Sequence, residues 1–263
     1  MQTIYYLYTK DNKIFGELKY TPDIFSDYTK HFHTHFGLAL IEHGDLHITY
    51  DLDNEQYLDN HSLAIFNPKQ MHCSKAYKAK GYYVLFLDTQ WCEQLQKDFY
   101  FENSILSNKI LYREFYTLFQ KILYTKNIDI EKDIKIIIKN LFKSYAKVSQ
   151  NKESQRILKI KALIESPNAS SLSVDKIAKH IGYNKSYFIR FFKKEVGLTP
   201  QQYILNVKIN HAKNLLTYTK KDSLSTISLE AGFFDQSHFN RNFKGLFGTS
   251  PKRYKKVNIV QDK

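Results

Sequence analysis

Gly182-Tyr183-Asn184-Lys185-Ser186-Tyr187-Phe188-Ile189-Arg190-Phe191-Phe192-Lys193, followed by Gly197 and Thr199-Pro200, has a second version further along the chain. It reads Gly232-Phe233-Phe234-Asp235-Gln236-Ser237-His238-Phe239-Asn240-Arg241-Asn242-Phe243-Lys244, followed by Gly248 and Ser250-Pro251. From Ser186 to Pro251 the two match at a fixed offset of 51, pairing Ser186 with Ser237, Phe188 with Phe239, Arg190 with Arg241, Phe192 with Phe243, and Gly197 with Gly248. Each copy predicts the same local structure. Ser173 caps a helix over Val174 to Ile181 with Val174, Ile177, Ala178 and Ile181 facing inward, and Gly182 ends it because it tolerates positive φ. Asn184 caps a second helix to about Val196. It buries Phe188, Phe191 and Phe192 and turns Lys185, Ser186, Ile189, Arg190 and Lys193 outward. In the second copy Leu224, Ile227, Ser228 and Ala231 face inward, Gly232 turns, Asp235 caps, and Phe239 and Phe243 are buried. Gln236, Ser237, Asn240, Arg241 and Lys244 face out. Helix, glycine turn and a second helix with a polar, basic outer face describe a helix-turn-helix, here twice. A helix from about Pro200 to Leu216 lies between them, roughly 25 Å long at 1.5 Å per residue.

Charge separates this part from the rest. Residues 1–153 carry 19 Lys/Arg against 19 Asp/Glu, and residues 154–263 carry 20 against 7, so the whole net charge of +13 sits in the C-terminal part. One-sided charge of that kind points to a polyanionic partner, nucleic acid first and an anionic membrane second. Met1-Gln2-Thr3-Ile4-Tyr5-Tyr6 has neither the basic start nor the apolar core of a signal peptide, and no apolar run approaches the ~20 residues that cross a bilayer. Cys73 and Cys92 have no metal-type spacing and read as packing residues. The expected compartment is the cytoplasm, in association with the nucleoid.

The first hundred residues alternate with period two. Leu46, Ile48, Tyr50 and Leu52 share one strand face, with Leu38-Ala39-Leu40-Ile41 as the preceding strand and a turn at Glu42-His43-Gly44-Asp45. Leu63–Phe66 and Tyr83–Leu87 are short buried-strand runs, and turns fall at Asp53-Asn54 and Asn67-Pro68, which together predict a β-sandwich or small barrel. From about Ser104 the period changes. Leu111, Phe115, Leu118, Ile122 and then Ile130, Ile134, Ile137, Leu141 form two helical stripes broken near Thr125–Asn127. They predict an αα-hairpin that packs on its own barrel or on a partner's copy, and the hairpin is the expected dimer surface. Val148–Glu153 is polar and aperiodic and reads as a linker.

The paired signatures, together with Ile227…Ala231-Gly232-Phe233 and Ser250-Pro251, resemble the AraC/XylS family of bacterial transcription regulators over about residues 157–256. The resemblance implies a two-domain chain: an all-β cupin-like effector-sensing barrel (1–100) followed by a helical hairpin (101–148), a linker (149–156), and an all-α domain (157–256) with two helix-turn-helix units bridged by a long helix. It implies double-stranded promoter DNA as partner, with successive major grooves entered on one face, and RNA polymerase as a further candidate partner. Carried over by position, Ser186, Ile189 and Arg190, and Gln236, Ser237, Asn240 and Arg241, reach bases or nearby phosphates. Lys185, Lys193 and Lys244 complete the expected DNA-facing set, the last two meeting phosphate. Arg190 and Arg241 have a second reading, in which they hold the helix-turn-helix together.

For the N-terminal half the resemblance is to cupins. His33-Thr34-His35 followed by Glu42 and Gly44 resembles the first cupin motif, with the Glu somewhat late, and Pro68-Lys69-Gln70-Met71-His72 resembles the second without its usual Gly. His31, His33 and His35 either stand half in solvent at a strand start, or His33, His35 and His72 line an apolar effector pocket with Phe36, Tyr50 and Phe66. The expected effector-binding set is His33, His35, Tyr50, Phe66 and His72, with no catalytic residue, no metal and no cofactor. The expectation is a homodimeric DNA-binding regulator under small-molecule control. Two other classes compete with it: a metal-dependent cupin enzyme with a basic nucleic-acid-binding domain, and an architectural DNA-binding protein without an effector.

Overall fold

The computed structural model describes residues 2–23, 27–51, 54–125, 129–148, 154–166, 173–219 and 222–256. The chain divides into two compact units, the first made of residues 1–27, 32–150 and 256–263 and the second of residues 28–31 and 151–255. The first contains β1 (Thr3–Tyr8), β2 (Ile14–Asp23), β4 (Phe36–Tyr50), β5 (Asn54–Leu58), β6 (Ser62–Phe66), β7 (His72–Leu87), α1 (Thr89–Glu93), β8 (Phe99–Tyr100), β9 (Ile105–Ser107), α2 (Lys109–Tyr124), α3 (Ile130–Tyr145) and β10 (Lys147–Val148), while the short β3 (Tyr28–His31) is counted with the second. The second contains α4 (Gln155–Glu165), α5 (Val174–His180), α6 (Lys185–Val196), α7 (Pro200–Tyr218), α8 (Leu224–Glu230), α9 (Gln236–Phe247) and α10 (Pro251–Lys256).

Eight strands form one sheet in the order β1-β2-β7-β4-β6-β9, with β3 added on β7 and β5 on β4. Among the described residues β1 and β9 do not pair, so the expected barrel is an open sheet. Two long strands organise it. β4 and β7 are antiparallel from Phe36–Leu87 to Tyr50–His72, with a register shift between His43 and Asp45 where Gly44 adopts φ 81°. The turn expected at Glu42–Asp45 is therefore a β-bulge inside one strand, not a hairpin loop. Leu52 and Asp53, also assigned to a strand end and a turn, lie outside the described residues.

Both faces of the upper part of β4 are covered, which explains its unbroken apolar run. Leu38, Leu40, Leu63, Ile65, Leu85 and Leu87 pack against Leu111, Phe115, Leu118 and Ile122 of α2 and Ile130, Ile134, Ile138 and Leu141 of α3. The helical stripes are thus core of the monomer. Leu118 is 3% exposed, so a charge placed there would break the fold and does not report on association. Phe36 also belongs to this core, against Phe99, Phe101 and Phe142, and not to the face carrying His33 and His72. Glu42 has a structural role as well. It accepts hydrogen bonds from Tyr83 (2.6 Å) and from Tyr116 on α2 (3.1 Å), while Tyr112 donates to the Ile41 carbonyl at 2.8 Å. Burial, then neighbouring Tyr116 and Glu42, push the Tyr112 phenol up to about 12.

The break expected at Thr125–Asn127 and the linker residues 149–153 fall mostly outside the described residues. Ser154, assigned to the linker, caps α4, whose buried Ile157, Ile160 and Ile164 anchor it. Helix α7 runs two residues further than expected and is buried on more than one side. Its interior polar groups bond along their own helix: Asn206 to Gln202 O, Asn210 to Asn206 O and Thr217 to Lys213 O. Cys73 and Cys92 are free thiols. No helix among the described residues is long and apolar enough to cross a membrane.

Candidate nucleic-acid interface

The two turns are built alike, bond for bond. After α5 the Gly182 N–H reaches Lys179 O (3.1 Å) and the Tyr183 N–H reaches Ala178 O (2.9 Å), with Gly182 at φ 75°. After α8 the Gly232 N–H reaches Leu229 O and the Phe233 N–H reaches Ser228 O, both at 2.9 Å, with Gly232 at φ 81°. These are paired Schellman closures, in which a left-handed residue lets the last carbonyls be satisfied, and only glycine adopts that conformation without strain. The following helices start on side-chain caps, Asn184 to the Tyr187 N–H (2.8 Å) and Asp235 to the His238 N–H (2.7 Å).

Packing repeats with the same fidelity. Phe188 and Phe192 lie 5.7 Å apart and Phe192 meets Tyr203 at 5.4 Å. Their counterparts Phe239 and Phe243 lie 5.6 Å apart and Phe243 meets Tyr254 at 5.4 Å. These rings are core, which leaves the opposite face of each helix to solvent. Phe191 departs from expectation. It is half-buried and stacks on Tyr187 (6.1 Å) beside Tyr183 (5.7 Å), next to Arg156 of α4.

On α6, Lys185, Ser186, Arg190 and Lys193 are exposed and Ile189 is half-buried. On α9, Gln236, Ser237, Arg241 and Lys244 are exposed and Asn240 is half-buried. Arg190 and Arg241 make no ion pair or hydrogen bond among the described residues, which removes the ground for reading them as internal braces. Lys185 instead pairs with Asp175 of α5 at 2.9 Å, an exposed bridge of small worth that a phosphate could displace. His238, which periodicity left unassigned, is exposed in the first turn of α9 beside these groups. Phe234 is fully exposed at the second turn and lines a cleft of about 520 Å³ with Lys185, Ile189, Ile204 and Lys208. Lys208 donates to the Gly232 carbonyl at 2.8 Å, which ties the second turn to α7, and its burial lowers the ammonium pKa. Nothing in the helical period of α9 flags Phe234, because it precedes the helix.

In the sheet unit, four of the five residues expected to bind an effector lie together. His33 and His72 are 5.1 Å apart, Phe66 is 4.4 Å and Tyr50 6.4 Å from His72, and Phe86 is 4.5 Å from His33. His33 and His72 are buried (8% and 4% exposed), and the half-solvated reading made for His31, His33 and His35 fails for His33 and for His31, which is buried too. Gly37 makes room for this cluster, since a Cβ there would stand 3.1 Å from both Phe66 and Phe86. Asn67 fixes the turn leading to His72 by two 2.9 Å bonds with the Phe101 backbone. His35 stands apart, half-buried and 3.9 Å from Asp88.

Comparison with known proteins follows this division. Residues 177–256 match a family model described as a helix-turn-helix domain. The Msm operon regulatory protein of Streptococcus mutans is 34% identical over 113 residues, which cover 43% of this chain and 40% of that protein. Matches of this strength span 28–40% of the relatives' own length. An uncharacterized HTH-type transcriptional regulator, YbfI of Bacillus subtilis, is 24% identical over 229 residues and 82% of each chain. Among solved structures, apo ToxT K231A from Vibrio cholerae superposes with a TM-score of 0.61 at 14% identity, covering 92% of this chain and 97% of that one. An unsaturated-fatty-acid-bound form of wild-type ToxT aligns with a TM-score of 0.54 at 13% identity, over 100% of this chain and 97% of that one.

Proposed function

We propose that this chain is a sequence-specific DNA-binding regulator of the AraC/XylS type, controlled by a small molecule held in its sheet-rich, cupin-like unit; the helix-turn-helix match over residues 177–256 and the related operon regulators support the reading. The observation that carries the DNA reading is the pair of equally built recognition helices, each presenting an exposed arginine outside any ion pair among the described residues. Arg190 and Arg241 suit bidentate contact with guanine in neighbouring major grooves, and Lys193 and Lys244 suit phosphate. Ser186, Gln236, Ser237 and Asn240 can hydrogen-bond base edges, while Ile189 can touch a thymine methyl.

His33, Tyr50, Phe66 and His72 are the ligand-binding residues of the sheet unit, an apolar wall with a few polar groups as effector sites require. A protein of the same fold has been crystallised with an unsaturated fatty acid, which supports a ligand of modest size. The ligand acts by binding one arrangement of the regulator more tightly than another, since only differential affinity shifts an equilibrium. The protein works as a homodimer on paired half-sites in the cytoplasm. The outward Ile110, Tyr124 and Ile136 of α2 and α3 offer the surface for the second copy in place of the buried stripe. No chemical step is assigned to it.

Arg241→Ala is expected to weaken specific DNA binding by about 1–3 kcal/mol, roughly 5- to 150-fold, with little change in binding to unrelated DNA. A gel-shift titration checks this. Equal affinity of the variant and the unmodified chain would remove Arg241 from base recognition.

A further inference from the structure

The second helix-turn-helix is one residue longer than the first, and the extra residue is Phe234. From the cap of the leading helix to the residue after the glycine, the copies run at an offset of 50, pairing Ser173 with Ser223, Gly182 with Gly232 and Tyr183 with Phe233. From the next cap onward, where Asn184 pairs with Asp235, the offset is 51. Both turns close through the same two backbone bonds, so the added residue contributes nothing to the closure. What it adds is a phenyl ring that is 100% exposed.

The ring is carried on a rigid mount. Phe233 before it is buried and meets Phe239 at 5.3 Å, and Asp235 after it caps α9 through the His238 N–H at 2.7 Å. The Gly232 carbonyl accepts from Lys208 of α7 at 2.8 Å. Both chain neighbours are thus fixed, and the Phe234 side chain is left to project. It stands between the two recognition helices, because it directly precedes the α9 cap and borders a cleft with Lys185 and Ile189 of α6. Two such helices in successive major grooves on one face of a duplex have a minor groove between them. A phenyl ring offers no hydrogen bond and cannot read a base edge. Apolar side chains presented to a minor groove act instead as wedges, entering between two base pairs and opening the stack. On the helices to either side Lys185, Gln236 and Arg241 are exposed, and this polar, basic setting suits a polyanion better than the apolar pocket of another protein.

We propose that Phe234 is a wedge that enters the minor groove between the two recognition sites and kinks the duplex at a pyrimidine–purine step. The proposal rests on the reading of the chain as a DNA-binding regulator and deepens it. It adds recognition by deformability at positions where no side chain reads a base, since TA and CA/TG steps unstack most readily. Removing the ring from water on insertion offsets part of the unstacking.

The test uses the full chain on a duplex of about 30 base pairs recovered by selection from random DNA, with a fluorophore at each end and 2-aminopurine between the two recognition sites. At saturating protein the unmodified chain is expected to bend the duplex by at least about 20°, read by energy transfer, and to raise the 2-aminopurine emission as the step opens. Phe234→Ala should lose both signals and bind about tenfold more weakly. Phe234→Leu keeps an apolar wedge and should restore both signals. Selection repeated with Phe234→Ala should lose any enrichment of pyrimidine–purine steps between the two sites. The ring is wholly exposed, so its replacement leaves the fold intact, as circular dichroism checks. Equal bending and opening by Phe234→Ala and the unmodified chain would reject the wedge and leave the regulator standing. So would binding by the unmodified chain without bend or opening. If the unmodified chain enriches no sequence and binds no duplex, the regulator reading fails and the wedge fails with it.

Discussion

Phe243→Ala is expected to lower the stability of the C-terminal unit by about 3–5 kcal/mol and to abolish DNA binding with it. Phe243 is fully buried, and its ring meets Phe239 at 5.6 Å, Phe247 at 4.8 Å and Tyr254 at 5.4 Å, so three aromatic neighbours lose a packing partner at once. Those neighbours come from α9 itself and from α10, both anchored by their caps, and cannot readily collapse into the space. A domain of this size is stable by about 5–15 kcal/mol, so the change removes a large share of the margin. Phe192, fully buried against Phe188 and Tyr203, occupies the equivalent place in the first copy, and Phe192→Ala should cost a similar amount. Denaturant unfolding followed by far-ultraviolet circular dichroism measures both. A loss below about 1 kcal/mol for either would mean that these aromatic clusters do not hold the recognition helices in place.

Raising the salt from 50 to 200 mM is expected to weaken DNA binding by about a thousandfold, the loss for roughly six phosphate contacts. The count follows from the exposed cations. Lys185, Lys193 and Lys244 lie on the two outer helix faces, and Lys176, Lys194 and Lys252 are exposed elsewhere on the same unit. Each phosphate neutralised releases condensed counterions and adds about −0.9 to the slope of log K against log salt. The basic excess of residues 154–263, 20 cations against 7 anions, makes this the dominant sequence-independent contribution. Replacing Lys244 by Ala should lower the slope by about one while leaving sequence preference intact, in contrast to Arg241→Ala. A slope near zero, read by fluorescence anisotropy across the salt series, would contradict a phosphate-dominated interface.

The helix-turn-helix pair was legible because every device that builds it is local. Gly182 and Gly232 close their turns through bonds within six residues, and Asn184 and Asp235 cap through bonds three residues away. Such chemistry is written in consecutive letters, and the 51-residue repeat states it twice. What a face packs against is not local, and there the reading was weaker. The stripe Leu111, Phe115, Leu118 and Ile122 announces an apolar face, but only the sheet that covers it tells core from dimer surface. Helix α7 hides its burial because Asn206, Asn210 and Thr217 satisfy themselves on their own backbone.

Period-two reasoning misjudged Gly44, since a bulge and a hairpin turn ask for the same positive φ. His31, His33 and His35 have the same parity, yet β3 ends at His31 and β4 begins at Phe36. The intervening connection breaks the strand period, so alternation could not say which imidazoles turn inward. The two pairs that converge, His33 with His72 and the surrounding Phe66 and Tyr50, were legible as a group only through the cupin-like spacing of their motifs.

Selection of bound sequences from random duplex DNA by the full chain tests the central claim most directly. Two recognition helices on one rigid unit should enrich a bipartite site, two short boxes separated by about one helical turn of 10–10.5 base pairs. Arg190→Ala should relax one box and Arg241→Ala the other. Recovery of a single box, or of no enriched sequence from a well-folded protein, would contradict a regulator that reads DNA at two places.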